Sequence, residues 1–86
     1  MAGVEEVRAG IALAKDKASA SIAALQQAAM ALEEAQQTLS QATSGSHQDE
    51  VTQAHGMFAE ALQSISGTQS TIEGAISSAD SYAARL

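Results

Sequence analysis

Apolar residues recur every three or four positions along almost the whole chain, which is the spacing of one face of a helix. Counted in heptads from Val4, position a holds mainly large aliphatic residues and position d mainly small ones. The a residues are Val4, Ile11, Ala18, Leu25, Leu32 and Leu39, and the d residues are Val7, Ala14, Ser21, Ala28, Ala35 and Ala42. The pattern, rich in alanine, glutamine and leucine, predicts a helix from about residue 4 to about residue 43.

The same division into a large and a small column returns after a short interruption, counted again from Val51. The a residues are then Val51, Phe58, Ile65, Ile72, Ala79 and Leu86, and the d residues are Ala54, Ala61, Thr68, Ala75 and Tyr82. A second helix is therefore predicted from about residue 47 to about residue 85. It contains Gly56, Gly67 and Gly74, and an interior glycine costs about 1 kcal/mol relative to alanine, so we expect it to fray more readily.

The interruption, "QATSGSHQDEV", predicts a turn over residues 44–48. Gly45 suits the left-handed conformation just past a helix end, because it has no Cβ to clash there. Ser46 is the predicted N-cap of the second helix, with Asp49 and Glu50 in its positively polarised first turn. So short a connection makes the two helices antiparallel neighbours in one domain, residues 1–86. The predicted turn residues are Thr43, Ser44, Gly45 and Ser46.

The register of this hairpin follows from the position of the turn. Each layer pairs an a residue of one helix with a d residue of the other, and their numbers sum to about 93. Most layers, such as Leu39 with Ala54, then join a large side chain to a small one, which allows close packing without voids. Two layers contain only alanine and form a thin waist: Ala18 with Ala75 and Ala14 with Ala79. The residues assigned to the helix–helix seam are Val4, Val7, Ile11, Leu25, Leu32, Leu39, Val51, Phe58, Ile65, Ile72 and Leu86.

Large apolar residues also lie outside both columns and form a candidate dimer face. They are Leu13, Ile22, Met30, Met57, Leu62 and Ile76. Large apolar side chains make up only roughly a fifth of the chain, so a lone hairpin has little core. A second hairpin packed on the first would complete a four-helix bundle from a symmetric dimer. The alternative is that alanine-rich faces tolerate a few exposed apolar groups, which are normal on protein surfaces.

Composition excludes several classes of function. The chain has no cysteine, and its formal net charge is -6 with only 4 basic residues. Disulfides and thiolate metal sites are therefore impossible, and binding to nucleic acid or to anionic lipid is disfavoured. The longest weakly polar run, "ASASIAALQQAAMAL", is too poor in leucine to predict membrane insertion. "MAGVEEVRAG" has glutamates where a signal peptide is basic, so we predict a cytoplasmic protein, or alternatively one secreted without a cleaved signal peptide.

Candidate catalytic or metal-binding groups are few. His47 and His55 lie two helical turns apart, next to Asp49 and Glu50, which leaves a small metal or ligand carrier as one alternative function. No Glu-x-x-His motif is present, and no serine lies beside a convincing base and orienting group. The prediction is therefore a protein that is not an enzyme and that has no cofactor.

The short acidic chain, its two long helices and its central glycine turn resemble the WXG-type (early-secreted-antigen-like) helical hairpins of actinobacteria and other Gram-positive bacteria. The Trp-x-Gly turn motif of that family corresponds to Thr43-Ser44-Gly45, where Gly45 matches and Thr43 replaces tryptophan. The family's export motif is a tyrosine followed four residues later by an acid, and here Tyr82 is followed by Leu86. The Gly-Ser turn and the Tyr-Ala-Ala-Arg-Leu ending also resemble uncharacterised actinobacterial hairpin proteins.

The function predicted from the residues is that of a non-enzymatic, homodimeric interaction or assembly module. Its partner is a second copy of the chain or a related helical hairpin. The resemblance implies one further alternative, a secreted effector or heterodimer partner of the WXG type.

Overall fold

The protein is a hairpin of two long helices. A computed structural model of the chain describes residues 3–86, so the first two residues of the predicted domain lie outside the described part. Helix α1 spans Val4–Ala42 and helix α2 spans Asp49–Ala84, and the two pack along each other. The 39 residues of α1 rise about 58 Å at 1.5 Å per residue, which accounts for an overall size of 63 × 17 × 15 Å. The predicted all-α helical hairpin is confirmed.

The turn closes with a left-handed glycine. Gly45 has a φ of 81°, as its position past the end of α1 predicts, and this prediction is confirmed. The backbone N–H of Thr43 donates to the carbonyl of Leu39 at 3.0 Å, and the Thr43 hydroxyl donates to the same oxygen at 2.6 Å. The N–H of Ser46 then donates to the carbonyl of Thr43 at 2.9 Å. These bonds satisfy carbonyl groups that the end of α1 would otherwise leave without a partner.

The start of α2 differs from the prediction. The N-cap is Gln48, which makes no side-chain capping bond, so the prediction that Ser46 caps this helix is wrong. The Ser46 hydroxyl instead accepts a long hydrogen bond from the N–H of Gln48 at 3.4 Å. Extended residues are needed here because the chain must cross the distance of about 8–10 Å between two packed helix axes before a new helix begins. Asp49 and Glu50 do occupy the first turn, as predicted.

The contact between the helices centres on positions a and e, where e lies four residues after a. Every e position from Lys15 onward is half-buried in both helices, including Ile22, Leu62 and Ile76. The d alanines are less covered, and Ala28 is exposed. The predicted a–d seam is therefore corrected to an a–e seam with partial cover of d. The large side chains at e bury more apolar area than alanine does, and a straight helix also drifts across a strict heptad repeat.

Most of the predicted seam residues are half-buried. Val4 and Leu86, at the open end of the hairpin, are exposed instead. The half-buried members are Val7, Ile11, Leu25, Leu32, Leu39, Val51, Phe58, Ile65 and Ile72. No residue within 3–86 is fully buried.

The register agrees with the sum of about 93 that the turn position predicts. Near the open end, Lys15 Nζ and Asp80 Oδ1 form an ion pair at 2.6 Å. Near the turn, Gln36 Nε2 donates to the carbonyl of His55 at 3.3 Å. Beside the ion pair, the predicted alanine waist is present as a cavity of about 130 Å³, whose lining includes Lys15 together with Ala14, Ala18, Ala75 and Ala79.

The left-handed turn generates a test on two glycines. Gly45→Ala should destabilise the protein by about 1 kcal/mol, because an L side chain is strained at a φ of 81°. Gly56→Ala should stabilise it by up to about 1 kcal/mol, because a Cβ there meets nothing within 4 Å and alanine is the better helix former. Urea unfolding at one protein concentration measures both. Equal effects at the two positions would contradict the assigned turn.

Candidate interaction surface

The hairpin leaves several large apolar side chains exposed to solvent. Leu13 and Met30 are each 57% exposed, and Met57 is 63% exposed. These are three of the six residues predicted to form a dimer face. The other three, Ile22, Leu62 and Ile76, are half-buried on the e side of the seam, so the structure separates the predicted face into a covered part and an open part.

The two sides of the hairpin differ in charge. One side is formed by positions d and g, where g is the residue before a, and we call it the alanine flank. It comprises Gly10, Ala14, Lys17, Ser21, Ala24, Ala28, Ala31, Ala35, Thr38 and Ala42 of α1, and Ala54, Met57, Ala61, Ser64, Thr68, Thr71, Ala75, Ser78 and Tyr82 of α2. Of the 10 acidic residues of the chain, only Glu50, in the first turn of α2, occupies one of these positions.

The opposite side, formed by positions b and f, is the acidic flank. It carries Glu5, Asp16, Glu33, Glu73 and Asp80 together with Met30. Desolvating a carboxylate without a partner is unfavourable, so this flank is suited to solvent. The alanine flank has no such barrier to being covered.

An open cavity of about 580 Å³ lies on the α1 part of the alanine flank. It is lined by Ala31, Glu34, Ala35, Thr38, Leu39, Ala42 and Phe58. The short side chains of α1 leave room beside the Phe58 ring, and the Glu34 carboxylate is the only charged group in the lining. The site is therefore apolar with one acidic edge, which suits an apolar side chain that has a cation close by.

The candidate metal-binding histidines occupy different surroundings. His55 is half-buried on the seam, and its Nε2 lies 3.4 Å from the Ser40 hydroxyl. His47 is exposed in the turn. Within residues 3–86, no group of three or more histidine, aspartate or glutamate side chains is placed to hold a metal ion.

The ion pair between Lys15 and Asp80 lies at the surface and adds little stability. The Lys15 and Asp80 side chains are 37% and 50% exposed, and surface ion pairs of this kind contribute about 0–1 kcal/mol. Neither helix of the described chain is long and apolar enough to cross a membrane.

Sequence reasoning missed the role of the e column. Ile22, Leu62 and Ile76 recur at e and are larger than the alanines at d, and this difference in size predicts that the partner helix covers them. The alanine flank could have been found by asking which columns contain the fewest acidic residues.

Comparisons of this chain with models of protein families, with curated proteins and with solved structures found no match. The function is therefore inferred from the surface of the chain itself.

The a–e seam generates a second test. Leu62→Ala should destabilise the protein by about 1–2 kcal/mol, the low end for a leucine because Leu62 is only half-buried. Met30→Ala removes a side chain of similar size from the exposed acidic flank and should change the stability by less than about 0.5 kcal/mol. Chemical unfolding at matched concentration compares the two variants. A loss for Met30→Ala as large as that for Leu62→Ala would argue against the a–e seam.

Proposed function

We propose that this protein is a non-enzymatic interaction or assembly module that acts as a homodimer, in which two hairpins form a four-helix bundle. The observation that carries the proposal is that no residue within 3–86 is fully buried, while three large apolar side chains are more than half exposed. Helical domains are stabilised by burying an apolar stripe of each helix in a common core. A second hairpin supplies the missing cover.

A second copy of the chain is the partner that the surface supports best. Positions d and g carry no acid from Gly10 to Ala42 of α1 or from Ala54 to Tyr82 of α2, so two such flanks can meet without burying like charges. Each chain has a net charge of -6, and turning the acidic flanks outward keeps most of that charge in water. A related hairpin with a similar flank would be recognised by the same physical interactions.

The surface does not favour catalysis. The two cavities described above are lined mainly by apolar side chains and lie open along the hairpin, whereas active sites need convergent polar groups in a site that excludes water. The His55 ring lies within hydrogen-bond distance of the Ser40 hydroxyl, and no carboxylate within residues 3–86 pairs with it. A scaffold or assembly role needs none of these groups.

Size-exclusion chromatography with light scattering tests the proposed function. The chain has a mass of 8.7 kDa, so a homodimer should scatter as a particle of about 17 kDa at micromolar concentration. A particle of about 9 kDa across the accessible concentration range would contradict the proposal.

A further inference from the structure

We propose that the two copies meet through their alanine flanks about a two-fold axis that crosses both helices at right angles. Helix α1 then lies antiparallel to α1 of the second copy, and α2 lies antiparallel to α2 of the second copy. The inference depends on the proposed homodimer and specifies its geometry. This one two-fold operation pairs Lys17 with Glu34, covers the open cavity beside Phe58 and covers the exposed Met57.

The charge pair sets the register. Lys17 is exposed on the alanine flank and makes no ion pair within residues 3–86. Glu34 borders the cavity of about 580 Å³ at the other end of the same flank. In an antiparallel contact between identical helices, Lys17 of each copy lies opposite Glu34 of the other when facing residue numbers sum to about 51. The symmetry forms the pair twice, and the axis crosses α1 near residue 26.

The rest of α1 fits this register. Between the two charge pairs, Ala24 faces Ala28 of the second copy and Ser21 faces Ala31, so small side chains let the helices approach to about 8 Å. Leu13, which is 57% exposed, falls opposite Thr38 of the second copy at the edge of the open cavity. Leu13 and Lys17 of one copy, which lie one helical turn apart, thus face the apolar cavity and Glu34 of the other copy.

The same axis gives a matching contact along α2. Because the hairpin pairs residues whose numbers sum to about 93, an axis near residue 26 of α1 crosses α2 near residue 67. Met57, the most exposed large apolar side chain within residues 3–86, then falls opposite residues 77 and 78 of the second copy, within one helical turn of Ala75. Ala75 borders the alanine waist, whose cavity of about 130 Å³ has room for part of a methionine side chain.

The face is large enough for a stable dimer. The hairpin is 63 Å long and 17 Å wide, so one face presents a footprint on the order of 1,000 Å² per copy. Stable interfaces of standard size bury about 800 Å² per partner. Met30 and the carboxylates of the acidic flank remain in solvent in this arrangement.

A charge exchange tests the register. Lys17→Glu and Glu34→Lys should each raise the dimer dissociation constant by roughly tenfold, because each places like charges opposite one another twice. The double variant Lys17→Glu/Glu34→Lys should recover most of the affinity. Glu33→Lys, on the acidic flank, is the matched control and should leave the constant within about twofold of the wild type. Sedimentation equilibrium measures all four. No rescue in the double variant, or an equal loss for Glu33→Lys, would overturn the register.

Two methionines of similar exposure give a second readout. Met57→Ala should raise the dissociation constant by roughly tenfold or more, since it empties the predicted contact with the waist in both copies. Met30→Ala should leave it unchanged. A larger effect at Met30 would overturn the choice of the alanine flank.

Cross-linking separates failure of this interface from failure of the proposed function. The chain has no cysteine, so Ala24→Cys/Ala28→Cys should form disulfides only between copies that face each other near residue 26. Ser19→Cys/Ala23→Cys has the same spacing on the acidic flank and should stay uncross-linked under mild oxidation. A wild type that scatters as a monomer refutes the homodimer itself. If the wild type is dimeric but only the Ser19→Cys/Ala23→Cys variant cross-links, the alanine-flank interface alone is refuted.

Discussion

Two helices packed along each other can cover only one stripe of each surface, and this limit governs the rest of the molecule. Each helix here runs for more than 50 Å at 1.5 Å per residue, yet each has a single neighbour, so within residues 3–86 even the best-covered side chains are only half-buried. The hydrophobic stabilisation of the hairpin is correspondingly small, because it scales with the apolar area removed from water. The apolar surface that remains exposed on the flank is the property on which the proposed role in association rests.

The turn sets which residues of the two helices face each other along the whole length of the hairpin. Gly45 reverses the chain in a left-handed conformation, and the extended residues before Asp49 carry it across to the second helix. The position of that reversal fixes which residues face each other up to 35 residues away, as the contact between Lys15 and Asp80 shows at the far end. The alanine waist and the open cavity then lie where small side chains of one helix meet small side chains, or a single phenylalanine, of the other.

Much of this architecture could be predicted from the sequence. Heptad spacing predicted both helices and the register, since Leu39 and its counterparts recur at intervals that only a helix brings to one side. The glycine turn was predicted because only glycine adopts the required backbone conformation without strain. The rotation of the seam toward e was missed, because a heptad count from Val4 fixes a period and leaves open which side of the large column the partner helix covers. The N-cap was predicted wrongly because Ser46 has a hydroxyl that can cap a helix. A helix that began there would leave too few residues after Gly45 for the chain to reach the axis of the second helix.

The candidate surface was less predictable, since exposure depends on how the two helices are rotated about their own axes. Leu13 and Met57 are exposed, whereas Ile22 and Leu62, both at position e, are half-buried. The rotation of each helix about its own axis decides which of these positions face the partner helix. Once this rotation is known, the near absence of acids from positions d and g identifies the alanine flank as a side that can be covered without desolvating many carboxylates.

The central claim is that the hairpin needs a second copy to complete its core, and the dependence of thermal unfolding on protein concentration tests it most directly. Circular dichroism melts recorded from about 1 µM to about 1 mM should show a midpoint that rises steadily with concentration, because association stabilises the folded state by mass action. A midpoint that stays constant over that range, with full helicity at the lowest concentration, would contradict the claim.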